Sequence, residues 1–214
     1  NVNNSTYLEP GTYKMYAVIE ETKNYFGKTT DTVTFKVEIV NIDVVLTELG
    51  EIYDENWTNN DVIATITVPD RVTNMTSVYY KVSGETTLRA FENTTINSNV
   101  VTFTFNKDFN QTISFVAVDV GGRPLTTESS VHNVKIDKIK PIVGSITTTL
   151  GKSNSKVLTV SNIRDNDGGS GVYGYYVNTE PNTANATWTQ LNESYFTYEV
   201  FENATYYVFV IDNA

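Results

Sequence analysis

A chain of 214 residues with 40% hydrophobic content has room for a sizeable core and is not disordered. Its net charge of −10 and its lack of cysteine exclude the basic surface that a nucleic-acid partner needs, a disulfide framework and a thiolate metal site. No stretch approaches the roughly 20 apolar residues of a membrane span, and Asn1 opens the chain without a signal peptide, so a mature or excised segment is expected.

Thirty-two Thr and 14 Tyr favour strands, 24 Asn favour turns, and alternation outscores helical spacing throughout. The chain therefore reads as all-β. In chain order, strands are expected at 11–19 and 32–40, a hairpin around Gly27. Next come 42–49, 62–68 (ended by Pro69-Asp70), 77–82 (closed by Ser83-Gly84), a short edge strand at 87–91, and 100–105. A second hairpin joins 111–119 to 130–137 across Gly121-Gly122. The last set is 155–160, 172–177, 187–191, 195–200 and 204–212.

One strand recurs. Gly11-Thr-Tyr-Lys-Met-Tyr-Ala-Val-Ile19, Gln111-Thr-Ile-Ser-Phe-Val-Ala-Val-Asp119 and Ala204-Thr-Tyr-Tyr-Val-Phe-Val-Ile-Asp212 each place a Thr before an alternating run. Thr12, Thr112 and Thr205 are 100 and 93 residues apart, a period of whole sandwich domains rather than of a solenoid. Tyr79-Tyr80 and Tyr175-Tyr176 read as equivalent positions in two copies. About seven short strands with regular turns fit an immunoglobulin-like sandwich. The expected organisation is tandem immunoglobulin-like β-sandwich domains. Residues 1–41 form the end of one domain, 42–138 a complete domain, and 139–214 a domain lacking its last strand. The joints, at Val40-Asn41-Ile42 and Asp137-Lys-Ile-Lys-Pro141, are short enough for a semi-rigid rod.

Three segments carry a family resemblance. Val134-Lys-Ile-Asp-Lys-Ile-Lys-Pro-Ile142 resembles the interdomain joint of prokaryotic Ig-like repeats, Gly169-Ser-Gly-Val-Tyr-Gly-Tyr-Tyr-Val177 a strand opening of that family, and Tyr206-Tyr-Val-Phe-Val-Ile-Asp-Asn-Ala214 its penultimate strand. The family continues that strand "D-x-A-G-N" into a final strand. The resemblance implies cell-surface architecture: surface-layer proteins, filaments, adhesin stalks or spacers of secreted hydrolases. The absence of cysteine suits a prokaryotic exported protein.

Candidate chemistry is sparse. His132, the single His, reads as a strand surface residue without a triad partner. Glu20-Glu21 and Asp54-Glu55 read as solvated loop carboxylates. Asp165-Asn-Asp-Gly-Gly-Ser-Gly171 places Asp165 and Asp167 in a Gly-rich turn that suits calcium, although it lacks the EF-hand spacing; Asp43 and Asp137 at the joints are further candidates for a linker cation. A plain turn is the competing reading. Nine Asn-x-Ser/Thr sequons begin at Asn3, Asn4, Asn56, Asn74, Asn93, Asn110, Asn185, Asn192 and Asn203, against about five from composition alone. The last seven are expected in turns. Trp57, Trp188, Tyr53 and Tyr195 are candidates for a sugar-binding face, although strand aromatics are usually core. The expectation is a non-enzymatic, extracellular structural segment partnered by copies of itself or neighbouring surface proteins. An adhesin or carbohydrate-binding spacer module is the alternative.

Overall fold

The computed structural model describes residue 8 and residues 11–38, 40–72, 75–91 and 94–214. Every helix or strand element among them is a strand. No helix is long and apolar enough to cross a membrane. The strands fall into three groups, and sheets form only within a group.

The first group is β1 (Gly11–Met15), β2 (Val18–Ile19), β3 (Lys28–Thr29) and β4 (Val33–Val37). β1 pairs with β4 and β2 with β3, so the expected hairpin forms as two short ladders. Tyr13 stacks on Phe35, but Met15 and Val33 on the same face remain mostly exposed.

The second group holds β5 (Asp43–Glu48), β6 (Glu51–Ile52), β7 (Val62–Thr67), β8 (Ser77–Val82), β9 (Leu88–Ala90), β10 (Thr95–Asn97), β11 (Val100–Phe105), β12 (Phe109–Val118) and β13 (His132–Ile136). One sheet runs β10-β11-β7-β5-β6 and the other β13-β12-β8-β9. The two-residue turn between β5 and β6 sets Leu49 and Gly50 both at positive φ, the geometry that matches strand twist in a tight hairpin. Alternation decides what is buried. Val62, Ala64 and Ile66 of β7 are fully enclosed, while Ile63 between them is 40% exposed. They meet Val101 and Phe103 on their own sheet and Val78, Ile113, Phe115, Val134 and Ile136 from the other, in one core. Two sheets closing on one core give this group its sandwich-like character.

The third group repeats the plan with fewer strands: β14 (Ser145–Leu150), β15 (Lys156–Ser161), β16 (Val172–Asn178), β17 (Thr189–Gln190), β18 (Tyr195–Val200) and β19 (Tyr207–Asp212). The sheets are β14-β15-β18 and β17-β16-β19. Among the described residues every strand pair is antiparallel, with one isolated parallel bridge between Thr58 and Ile136. β14 goes beyond the sequence reading: Ile146 and Leu150 flank Thr147-Thr-Thr149, which hides the alternation. The core is small, built on Val160, Ile163 and Phe196 with half-buried Val177, Val208 and Val210.

The tyrosine pairs are not in equivalent register. Tyr80 lies opposite Phe115 and packs into the core, against Phe91 and Phe109. In the third group Tyr175, the first of its pair, lies opposite Val210 and stacks on Phe196 at 3.6 Å, while Tyr176 turns outward. The slip of one residue exchanges which half-buried tyrosine faces the core.

Candidate functional site

Three carboxylates gather where the second group runs into the third. Asp137 follows β13 directly and is only 2% exposed. Its Oδ1 accepts the Ile139 N–H at 3.1 Å and its Oδ2 the Ser170 N–H at 2.7 Å, which ties the end of one sheet pair to a loop of the next. That loop follows buried Ile163 and a two-way backbone bridge between Ile142 and Arg164. Asp165 caps it from within: Oδ1 accepts from Asn166 N at 2.9 Å and Oδ2 from Gly171 N at 2.6 Å. Asp212 arrives at the end of β19, where its Oδ1 accepts from Ala214 N. One oxygen from each of Asp137, Asp165 and Asp212 lies within 4.8 Å of the others.

Gly169 completes the cradle. A Cβ there would sit 2.6 Å from Asn166 Oδ1, 2.7 Å from Asp137 Oδ2 and 2.8 Å from Asp165 Oδ2. Any side chain would clash with oxygens held by backbone hydrogen bonds. With its amide nitrogen turned inward, Asn166 donates to Asp165 Oδ1 at 2.9 Å and Asp137 Oδ1 at 3.2 Å. A hard cation would favour the opposite face of that amide, oxygen inward, together with the carboxylates.

The electrostatics divide the trio. Burial pushes the Asp137 carboxyl up, but the Ser170 and Ile139 N–H groups outweigh it and hold the group below its ordinary value. Burial above all, then the negative charges of Asp137 and Asp165, raise Asp212.

Asp165 belongs to this cluster. Asp167, its partner in the sequence reading, is exposed and outside it. Asp43 is exposed at the start of β5. Asp137, expected with Asp43 as a residue that could serve a linker cation, and Asp212, not expected at all, supply the other carboxylates. Asp212 closes the recurrent strand as Asp119 does, and that shared offset is the signal for it.

Among the sequons, Asn56, Asn185, Asn192 and Asn203 are exposed outside strands, where a glycan has room. Asn110 lies within β12 rather than in a turn, because the strand begins earlier than alternation indicated; its side chain remains exposed. Asn3, Asn4, Asn74 and Asn93 lie outside the described residues.

The four sugar-face aromatics do not form one face. Tyr53 is 4% exposed, its hydroxyl accepting the Lys135 N–H at 3.0 Å and donating to Asn56 O at 2.5 Å. Trp57 is half-buried beside it in sequence, and Tyr195 is exposed on β18. Trp188 instead meets Tyr176 edge-on at 6.0 Å, and Tyr176 neighbours Phe209 at 6.3 Å, on the outward side of the β17-β16-β19 sheet. His132 is half-buried, Nδ1 3.3 Å from Glu55 Oε1, while Glu55 Oε2 accepts from Asn133 N and Nδ2. Glu55 thereby clamps the start of β13 and is not a merely solvated carboxylate. Asp54 is exposed and caps the Asn56 N–H.

No family model matches the chain, and no curated protein matches it.

Proposed function

We propose that this chain is a segment of an exported structural protein of the cell surface, of surface-layer or filament type, in which tandem immunoglobulin-like modules stack end to end and associate with copies of themselves or with neighbouring surface proteins. One observation carries the reading: the strand order β5-β7-β11 facing β8-β12 recurs as β14-β15-β18 facing β16-β19. Two modules of one plan, joined through the hydrogen bonds of Asp137, suit a spacer whose work is mechanical. The acidic surface and exposed sequons at Asn56, Asn185, Asn192 and Asn203 agree with an extracellular, glycosylated exterior. At the joint, Asp137, Asp165 and Asp212 are the groups that would hold calcium, whose charge would offset theirs.

The test is location. Antibodies raised against the purified chain should label intact source cells, and protease applied outside the cells should remove the label. Label found only after permeabilisation would reject the proposal. The rival reading, a carbohydrate-binding or adhesin module, draws on the outward aromatics Tyr176, Trp188 and Phe209. Retention on a polysaccharide column, lost in Trp188→Ala, would decide for it.

A further inference from the structure

Five sequons fall wholly within the described residues, those of Asn56, Asn110, Asn185, Asn192 and Asn203, and all five asparagines are exposed. Attaching a saccharide asks for more than exposure. The transferring enzyme must draw the carboxamide into its own site and read the hydroxyl two residues on, so both groups have to leave whatever holds them in the fold. The state of that hydroxyl splits the five sequons into two sets.

In Asn56-Trp57-Thr58 the hydroxyl is locked away. Thr58 is 6% exposed. Its Oγ1 donates to Glu48 Oε1 and accepts from Asn60 N at 3.0 Å. Its N–H donates to Lys135 O at 3.1 Å and its carbonyl accepts from Asp137 N at 2.9 Å, which bridges it to the β13 strand. The Asn56 carboxamide is itself engaged, Nδ2 donating to Asp54 Oδ2 at 2.9 Å. In Asn110-Gln111-Thr112 all three residues belong to β12 and pair with Lys135, Val134 and Asn133. Thr112 Oγ1 donates to Asn133 Oδ1 at 2.6 Å, and the Thr112 carbonyl accepts from Ser83 N at 2.8 Å. The other set lies in the third module. Thr187, Ser194 and Thr205 are exposed and outside strands, and among the described residues no hydrogen bond engages their hydroxyls. Asn185, Asn192 and Asn203 likewise lie outside every ladder.

We infer that the folded chain takes an Asn-linked saccharide at Asn185, Asn192 and Asn203, and that Asn56 and Asn110 accept one only before their module folds. The donor is a lipid-diphosphate-linked saccharide. Nδ2 of the asparagine bonds to its anomeric carbon and the bond from that carbon to the diphosphate oxygen breaks. The lipid diphosphate leaves with the electron pair, and one Nδ2 proton passes to solvent. The folded state governs the step through the opening each sequon needs. The third module's sequons need none, whereas freeing Thr58 or Thr112 means undoing contacts to β13. The inference rests on the glycosylated exterior proposed above only for the supply of enzyme and donor.

The full chain, purified and folded, is incubated with an oligosaccharyltransferase and a lipid-diphosphate-linked saccharide. Occupancy at each sequon is followed in time by glycopeptide mass spectrometry. Synthetic peptides carrying residues 53–61, 107–115, 182–190, 189–197 and 200–208 are the unstructured references and remove the enzyme's intrinsic preference for each sequence. Asn185, Asn192 and Asn203 should react about as fast in the chain as in their peptides. Each hydrogen bond that must open lowers the reactive population by up to about tenfold. Several must open at Thr58 and Thr112, so Asn56 and Asn110 should react about 100-fold more slowly than their peptides. Glu48→Ala, which removes the acceptor of the Thr58 hydroxyl, should speed Asn56 by about tenfold and leave Asn185 unchanged. Reaction of Asn56 or Asn110 in the folded wild-type chain at its peptide's rate overturns the inference. Protection of Asn185, Asn192 and Asn203 equal to that of Asn56 overturns it as well. Enzyme and donor are supplied, so a chain from source cells that carries no saccharide would reject the glycosylated exterior and not this selectivity.

Discussion

Phe115→Ala is expected to destabilise the β5–β13 module by about 3–5 kcal/mol and to leave the third module unmoved. Phe115 is fully enclosed, lies opposite Tyr80 and sits within 6.0 Å of the rings of Phe91 and Phe103. Truncation removes the largest side chain at the centre of the sandwich. It opens a cavity that neighbours tied into two ladders cannot close. Against a total of about 5–15 kcal/mol for a domain, that is a large fraction. At about 4 °C or more per kcal/mol, the melting temperature should fall by at least about 12 °C. Calorimetry should resolve two transitions, of which the third module's stays fixed, since Val160, Ile163 and Phe196 form a separate core. A single transition that shifts as a whole would show the modules unfolding as one unit.

Asp137→Ala should cost about 1–3 kcal/mol at neutral pH, the penalty of leaving a buried backbone donor such as Ser170 N–H without its acceptor. The loss should fall on the third module's transition, because Ser170 belongs to its loop. The pH dependence has a definite sign. The folded Asp137 lies below the ordinary aspartate value of 3.8, so its contribution is fully present above that value and disappears as pH falls through the lower folded one. In an Asp212→Asn background, which removes the titration that the Asp137 charge raises, the proteins with and without Asp137→Ala should therefore differ by a constant amount from pH 7 down to about 4 and converge only in stronger acid.

Asp212 behaves oppositely. Its folded value is raised, so stability is lost as pH climbs from 3.8 through the folded value. Asp212→Asn should stabilise the third module at pH 7 in chelator. Calcium should raise the wild-type melting temperature and have little effect on Asp212→Asn. Destabilisation by Asp212→Asn in chelator would mean that the carboxylates are not in net repulsion. No shift with millimolar calcium would remove the cation from the joint.

The expected strands at 77–82, 100–105 and 195–200 coincide with β8, β11 and β18, because each is a run of period-two alternation bounded by turn residues. Both expected hairpins form. β14 was illegible since three Thr in a row carry no inward or outward preference. The Gly-rich turn was legible as a place for Asp165 and the joint as a place for Asp137, but not that the two meet, nor that Asp212 joins them from the end of β19. The sugar face dissolved for the same reason. Burial of Tyr53 and the company of Trp188 depend on which strands become neighbours.

The sequence by itself determined that this is an all-β chain in which a Thr before an alternating run recurs at Thr12, Thr112 and Thr205, because alternation and turn chemistry act over a few residues. Tertiary structure decided which Tyr of each pair faces the core and which three carboxylates converge. Each of those depends on pairing between distant strands, and a shift of one residue in register moves every side chain to the other face.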